Sequence, residues 1–448
     1  MGALCALLGT QEPLPHLCHN RLVGVLAKRV AVVGQGYVGL GLAVRAVEVG
    51  HDVIGFDIDE ARVALLGEGR SYVEDVPSEA LGRTLATGRF EPTSDPARLS
   101  GFDIAVITVQ TPLRDGTPDL SFIEEAGRIL APHLRAGGCV ILESTTYPGT
   151  TEELLGPILE AGSGLRAGTD FHLGYSPERI DPGNATWTFV TTPKVVSGID
   201  SQSLARVRSF YEGLVDQTVA VSGTREAELT KLLENTFRHV NIALVNELAM
   251  FASELGVDVW EAIDAASTKP FGYLRFTPGP GVGGHCLPVD PTFLAWRVEN
   301  RLGQHFEFVE LANAINARMP DYVVGRLLRG LADRGVEVRE AQILVLGLAF
   351  KRDTADARGA PALQIAQKLA DLGATVRVAD PHVVDGLPDL GGLAVKRVEL
   401  TDDEVACSDA VLLVTDHSVF DLAMVQQRAA YIFDTRRCVP AGPNVEYL

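Results

Sequence analysis

The chain has 448 residues, too many for a single hydrophobic core, so two or three domains are expected. Its 46% hydrophobic and 22% charged residues fit a soluble globular protein, and a formal charge of −19 argues against generic affinity for nucleic acid or anionic membrane. No apolar run reaches the length of a membrane span, and the six cysteines lack the paired spacings of a disulfide framework or a zinc site.

Free thiols fit a reducing compartment, so a cytoplasmic location is expected. Residues 1–28 carry neither a basic leader nor a signal-length apolar stretch, and are expected to be a disordered extension or a misplaced start.

The first element is the β-branched run Lys28 to Val33, followed at once by Gly34-Gln35-Gly36-Tyr37-Val38-Gly39. A helical stretch to Val49 and a second strand, Asp52 to Phe56, come next, and Asp57 stands 18 positions after the last glycine. Strand, glycine turn, helix, strand and acid form the pattern of a dinucleotide site. The glycines let backbone approach a pyrophosphate at the positive end of the helix. Asp57 would accept the adenosine ribose hydroxyls and repel a 2′-phosphate, which selects NAD over NADP.

Strands at Ile104–Thr108 and Cys139–Leu142 each end in a polar loop, Gln110-Thr111-Pro112 and Glu143-Ser144-Thr145-Thr146-Tyr147-Pro148. In a doubly wound sheet such loops line the ligand crevice, so Thr111 and Thr146 are cofactor candidates, with solvated turn residues as the alternative. From Glu226 to Leu255 the period becomes 3.6 and a long amphipathic helix is expected. Its apolar stripe (Leu229, Leu232, Leu233, Phe237, Val240, Leu244, Leu248, Phe251, Leu255) suits packing against a copy of itself. Lys231 and Asn235 share a face away from most of that stripe.

Gly283-Gly284-His285-Cys286-Leu287-Pro288-Val289-Asp290 then puts one cysteine on a glycine-hinged loop. An alcohol dehydrogenase that stops at the carbonyl needs no thiol. One that continues to the acid gains from a thiolate that traps the aldehyde, so Cys286 points to a four-electron oxidation. The alternative is an inert buried cysteine.

Beyond Pro320 the pattern repeats: a strand Gln342–Leu348, a helix Ala362–Leu372, a strand Thr375–Ala379 ending in Asp380, then strands at Ala410–Thr415 and Tyr431–Asp434. The fingerprint glycines give way to Phe350-Lys351-Arg352-Asp353-Thr354, so a different phosphate ligand is expected there. The fold expected is α/β, with two Rossmann-like doubly wound domains joined by a long central helix and helical connector. Its boundaries are 29–222 for NAD binding, 223–322 for the helical connector and dimer contact, and 323–448 for the second Rossmann-like domain.

With these motifs in this order, joined by Ser176-Pro177-Glu178-Arg179 and Glu228-Leu229-Thr230-Lys231 through Asn235, residues 28–445 resemble the UDP-glucose/GDP-mannose dehydrogenase family. The resemblance implies that Cys286 is the nucleophile and that Lys231 stabilises developing oxyanions. It also implies that Asn235 orients substrate, that Asp290 serves water activation and charge balance, and that Glu178 serves thioester hydrolysis. It assigns Tyr37, Val38, Asp57, Arg62, Thr111, Thr146 and Arg358 to NAD. Glu178, Arg179, Lys231, Asn235, Gly283, Lys351 and Arg436 fall to the UDP-sugar.

No metal, nucleic acid or membrane is implied, and a homodimer is expected. The wording from Ser176 to Asn184 and the valine at 289 resemble the N-acetylhexosamine branch, UDP-N-acetylglucosamine before UDP-N-acetylmannosamine, with UDP-glucose less similar. The role of Arg275 stays open. A two-electron hydroxyacid-type dehydrogenase and a non-catalytic nucleotide-sugar sensor are the remaining alternatives.

Overall fold

The computed structural model describes residues 27–181, 184, 186–284, 286–383 and 395–448, and only the backbone of Cys286. The expectation for residues 1–28 therefore falls, up to residue 26, outside the described part, as does the side chain of Cys286.

The first half is built on a parallel sheet. Its strands are β1 (Arg29–Val33), β2 (Asp52–Phe56), β3 (Phe90–Thr93) and β4 (Ile104–Ile107). A small hairpin, β5 (Leu113–Arg114) and β6 (Thr117–Pro118), precedes β7 (Cys139–Leu142) and β8 (His172–Tyr175). The order is β3-β2-β1-β4-β7-β8, so the strand sequence reverses beside β1, where a doubly wound sheet opens its crevice. Alternate residues of β1 feed opposite cores: Ala31 and Val33 pack on one face, Val30 and Val32 on the other. Each of these valines contributes roughly 1.5–3 kcal/mol of burial. A parallel pair, β9 (Lys194–Val196) with β10 (Thr218–Ala220), flanks this sheet.

The second half repeats the plan with β11 (Gln342–Leu346), β12 (Thr375–Ala379), β13 (Val395–Arg397), β14 (Ala410–Leu413), β15 (Ile432–Asp434) and β16 (Val445–Tyr447). Its order, β13-β12-β11-β14-β15-β16, reproduces that of the first sheet. Ile343 and Val345 face one core, Leu344 and Leu346 the other.

Between the sheets runs the long helix Thr224–Glu254, packed against the helices Cys286–Leu302 and Glu307–Ala332. The boundary expected at residue 322 falls inside Glu307–Ala332, because Pro320 is accommodated within that helix and does not end it.

Most of the apolar stripe of the long helix is exposed, although Leu232 is buried and Val240 half-buried. Leu233 is 62% and Phe251 55% exposed, whereas Ala227, Glu228, Lys231, Leu232 and Asn246 are buried. Helix periodicity locates a stripe but not which face meets the protomer's own core. Here the buried face carries the polar groups of the site. Among the described residues no helix is long and apolar enough to cross a membrane.

Candidate active site

Strand β1 ends in a turn shaped by its glycines. Gly34 has φ +93°, a conformation that disfavours any side chain. A Cβ at Gly39 would stand 1.9 Å from the Gly34 carbonyl, so the Tyr37–Glu48 helix can approach the strand only with glycine there. At Gly36 a Cβ would meet nothing within 4 Å, which leaves open space over the helix N-terminus. That combination of a tight seat and an open cradle fits a pyrophosphate.

The buried Asp57 carboxylate accepts the Gln35 amide at 2.8 Å, and Arg62 lies 3.7 Å from it. Tyr37 hydrogen-bonds Asp75, and Val38 is half-buried in the first turn of the helix. Thr111 is buried in the loop after β4. Thr146 is fully buried, its hydroxyl 2.6 Å from that of Thr150. The structure thus brings Gly34, Gly36, Tyr37, Val38, Gly39, Asp57 and Arg62 into one turn-and-acid cluster, with Thr111 and Thr146 on the neighbouring strand ends.

The second set of residues gathers where the long helix meets the Cys286–Leu302 helix. Asn235 Nδ2 donates to Asp290 Oδ2 at 2.5 Å. Asp290 is 3% exposed, and burial pushes its carboxyl up to about 6 against the opposing Lys231 ammonium and the Asn235 hydrogen bond. Glu178 follows β8, and burial raises its pKa as well, opposed first by Lys231 and then by the Ile180 and Arg179 amides. Lys231, itself buried, is therefore the cation shared by two buried carboxyl groups.

Position 286 opens its helix four residues before Asp290. The preceding loop is seated on the second half: a Cβ at Gly283 would lie 2.9 Å from the Gly359 carbonyl, and the Gly284 amide donates to the Arg358 carbonyl at 3.1 Å.

The remaining candidates have mixed placements. Lys351 reaches across the halves to Asp181 at 2.6 Å. Arg436 donates to the Val414 carbonyl and lies against Gly279, where a Cβ would be 2.8 Å from its guanidinium. The exposed Arg358 side chain pairs with Asp356. The Arg179 guanidinium braces the long helix, holding Glu234 at 2.6 Å and the Pro193 carbonyl at 2.6 Å. Arg275 pairs with Asp264 at 2.8 Å on the surface, which gives the residue left open by the sequence a structural partner.

Three buried ionisable residues stand at the site without a role from the sequence. Lys194 bonds Glu143 and lies 3.4 Å from Glu178. Glu228 accepts the Gly149 amide at 2.6 Å and the Thr151 amide at 2.9 Å. An acid at the end of a strand, as at Asp57, could have marked Glu143; nothing in the local sequence marks Lys194.

A separate group in the second half, Asp353, His382 and His417, has its ligand atoms within 4.8 Å of one another. Both His417 nitrogens are already engaged, Nδ1 by the Asp353 amide and Nε2 by Asp380.

The same architecture and motifs recur in known proteins. Three family models cover the chain in order: the NAD binding domain, central domain and UDP binding domain of the UDP-glucose/GDP-mannose dehydrogenase family, at residues 28–215, 225–318 and 344–441. A UDP-N-acetyl-D-glucosamine 6-dehydrogenase from Pseudomonas aeruginosa is 38% identical over 88% of this chain and 91% of its own. The solved UDP-D-ManNAc dehydrogenase of Pyrococcus horikoshii superposes with a TM-score of 0.84 at 34% identity, covering 94% of this chain and 98% of its own. A UDP-glucose dehydrogenase from Pyrobaculum islandicum gives the same TM-score at 29% identity, over 95% and 98%. The fold is therefore common to enzymes named for different sugars. The chain belongs to the UDP-glucose/GDP-mannose dehydrogenase family and is an NAD-dependent UDP-sugar dehydrogenase.

Proposed function

We propose that this enzyme oxidises the 6-hydroxyl of a UDP-N-acetylhexosamine, UDP-N-acetylglucosamine in the first place, to the uronate through a thioester on Cys286. The observation that carries the reading is the buried Lys231–Asn235–Asp290–Glu178 cluster beside the helix that position 286 opens. A cation shared by two carboxyl groups suits a reaction in which negative charge appears on oxygen and protons must be moved.

The Gly34–Gly39 turn, Asp57 and Arg62, with Thr111, Thr146 and Arg358 alongside, would hold NAD, which when bound would supply the hydride acceptor for both oxidations at C6. In the first oxidation the C6 hydroxyl loses its proton while Lys231 holds the developing oxyanion. The Cys286 thiolate adds to the aldehyde carbon, and the thiohemiacetal oxygen sits again at Lys231. After the second hydride leaves, Glu178 takes the proton of the attacking water, while Asp290 balances charge beside Lys231. The C–S bond breaks and the thiolate is restored. One sugar and one water thus yield one carboxylate, two NADH and three protons.

Lys351 and Arg436, with Arg179 and Gly283, contribute the UDP-sugar side of the cleft in this reading. The exposed stripe of the long helix (Leu229, Leu233, Phe237, Leu244, Leu248, Phe251) is the contact of a homodimer, since so long an apolar face on one helix calls for a partner. The spacing of the cysteines supports a cytoplasmic location.

The sugar assignment rests on the Ser176–Asn184 wording, on Val289, and on the name of the Pseudomonas relative. UDP-N-acetylmannosamine is the second reading, favoured by the name of the Pyrococcus structure. The test is NADH yield with limiting UDP-GlcNAc, UDP-ManNAc or UDP-glucose and excess NAD. Two NADH per UDP-GlcNAc, with the others slow, is the expected result. A yield of one NADH for every sugar would overturn the thioester route.

A further inference from the structure

Lys194 opens β9 with its side chain 4% exposed and lies 5.5 Å and 5.2 Å from the ring centres of Phe189 and Tyr211. Its ammonium lies between two carboxylates that come from different strand ends. Glu143, fully buried after β7, is in hydrogen-bond contact, and its other oxygen accepts the Tyr211 hydroxyl at 3.0 Å. Glu178 Oε2 is 3.4 Å away, while Glu178 Oε1 accepts the Ile180 amide at 2.5 Å.

The groups facing Glu178 are thus Lys194 on β9 with Glu143 behind it, Lys231 on the long helix, and the Arg179 charge beside it in sequence. Asp290 on the next helix shares Lys231. Two ammonium groups therefore serve three buried carboxyl groups. Like charges in a dry site cannot all ionise unless cations separate them. Burial and the Lys231 charge press the Lys194 amine well below the usual lysine range, while the Glu143 and Glu178 carboxylates in contact with it favour its charged form.

We propose that Lys194 is a positioning residue for the reaction: anchored on Glu143, its buried ammonium holds the Glu178 carboxylate ionised beside Lys231. The inference rests on the role given above to Glu178 in thioester hydrolysis. Lys194 reaches substrate only through Glu178. Without it, Glu143 and Glu178 face each other across an apolar gap, and Glu178 holds its proton to higher pH.

The experiment is the pH profile of kcat with UDP-GlcNAc for wild type, Lys194→Met, Glu143→Gln and the double variant, each checked for folding by circular dichroism. Lys194→Met is expected to move the acid limb upward by about one pH unit, roughly a ten-fold loss of kcat below the midpoint, with KM little changed. The double variant removes the excess negative charge and returns the limb toward wild type. Glu143→Gln alone leaves Lys194 to Glu178 and moves the limb downward, which supplies a readout if Lys194→Met does not fold. A limb that stays put in both single variants, or a double variant no better than Lys194→Met, overturns the proposal. Single-turnover NADH yield separates this failure from that of the underlying mechanism. Two NADH in wild type with an unmoved limb rejects only the role of Lys194, whereas one NADH in wild type removes the thioester on which that role rests.

Discussion

The Glu228 carboxylate accepts both the amide of Thr151, at 2.9 Å, and its hydroxyl, at 2.7 Å. One side chain of the long helix thereby fixes the loop that carries Thr146, so the cofactor side and the sugar side of the cleft share a helix. Burial pushes Glu228 up to about 7 despite these donors. An acid raised on folding takes up a proton in the native state, so its contribution is present below the unfolded value near 4.5 and is lost as pH rises through about 7.

Thermal melts of wild type should accordingly fall between pH 5 and 8, by an amount bounded at about 3 kcal/mol. Glu228→Gln should flatten this fall, while lowering stability by about 1–3 kcal/mol at pH 5 because its amide nitrogen would face a backbone donor. An unchanged pH slope in the variant would remove Glu228 as its source.

The fingerprint glycines make a contrasting pair. Gly39→Ala should be destabilised by several kcal/mol, because its Cβ meets a carbonyl oxygen at 1.9 Å. Gly36→Ala has open space in the protein and an ordinary φ of −72°, so it should fold with a near wild-type melting temperature. Its added methyl instead occupies the cradle, and NAD affinity should drop at least ten-fold in a fluorescence titration. Equal NAD affinity in Gly36→Ala and wild type would mean that the pyrophosphate lies elsewhere.

Cys286→Ser should lose sustained acid formation by about three orders of magnitude or more, because an alkoxide nucleophile is far harder to generate than a thiolate. Product analysis by mass spectrometry decides the matter: uronate formed at the wild-type rate would end the covalent route.

On the long helix, Leu233→Asp with Phe251→Asp should leave the protomer folded, since both side chains are more than half exposed. Sedimentation should then report a dimer for wild type and a monomer for the double variant. A dimer that survives both charges must use another face.

Much of this was legible in the residues. The strand, glycine turn, helix and acid from Arg29 to Asp57 read directly, because each step has its own backbone requirement. The echo at Gln342–Asp380 read as well, and its altered turn has a physical reason: Asp380 takes the Leu348 and Ala349 amides at 2.6 and 3.0 Å. Leu348 stands at the register of Gln35, whose amide bonds Asp57 in the same way, and the buried Ala349 stands where the first turn has Gly36.

Which members of the stripe the long helix buries, Leu232 among them, was not legible, because periodicity is blind to what the rest of the chain covers. Lys194 was hidden for a similar reason. A lysine among threonines and a proline looks solvated until β7 and β8 bring Glu143 and Glu178 to it. The motif around Arg179 was legible, but not that its guanidinium pairs with Glu234 on the long helix.

The Gly284 amide is bonded to a carbonyl of the second half, yet the helix that begins two residues later packs on the long helix. Residue 286 therefore stands between a loop bonded to the second half and a helix packed on the long helix. Any hinge motion that parts the halves must stretch or break this bond before the mouth can widen. The spacing of the two halves and the placement of the helix that begins at residue 286 are in this way linked through one backbone hydrogen bond.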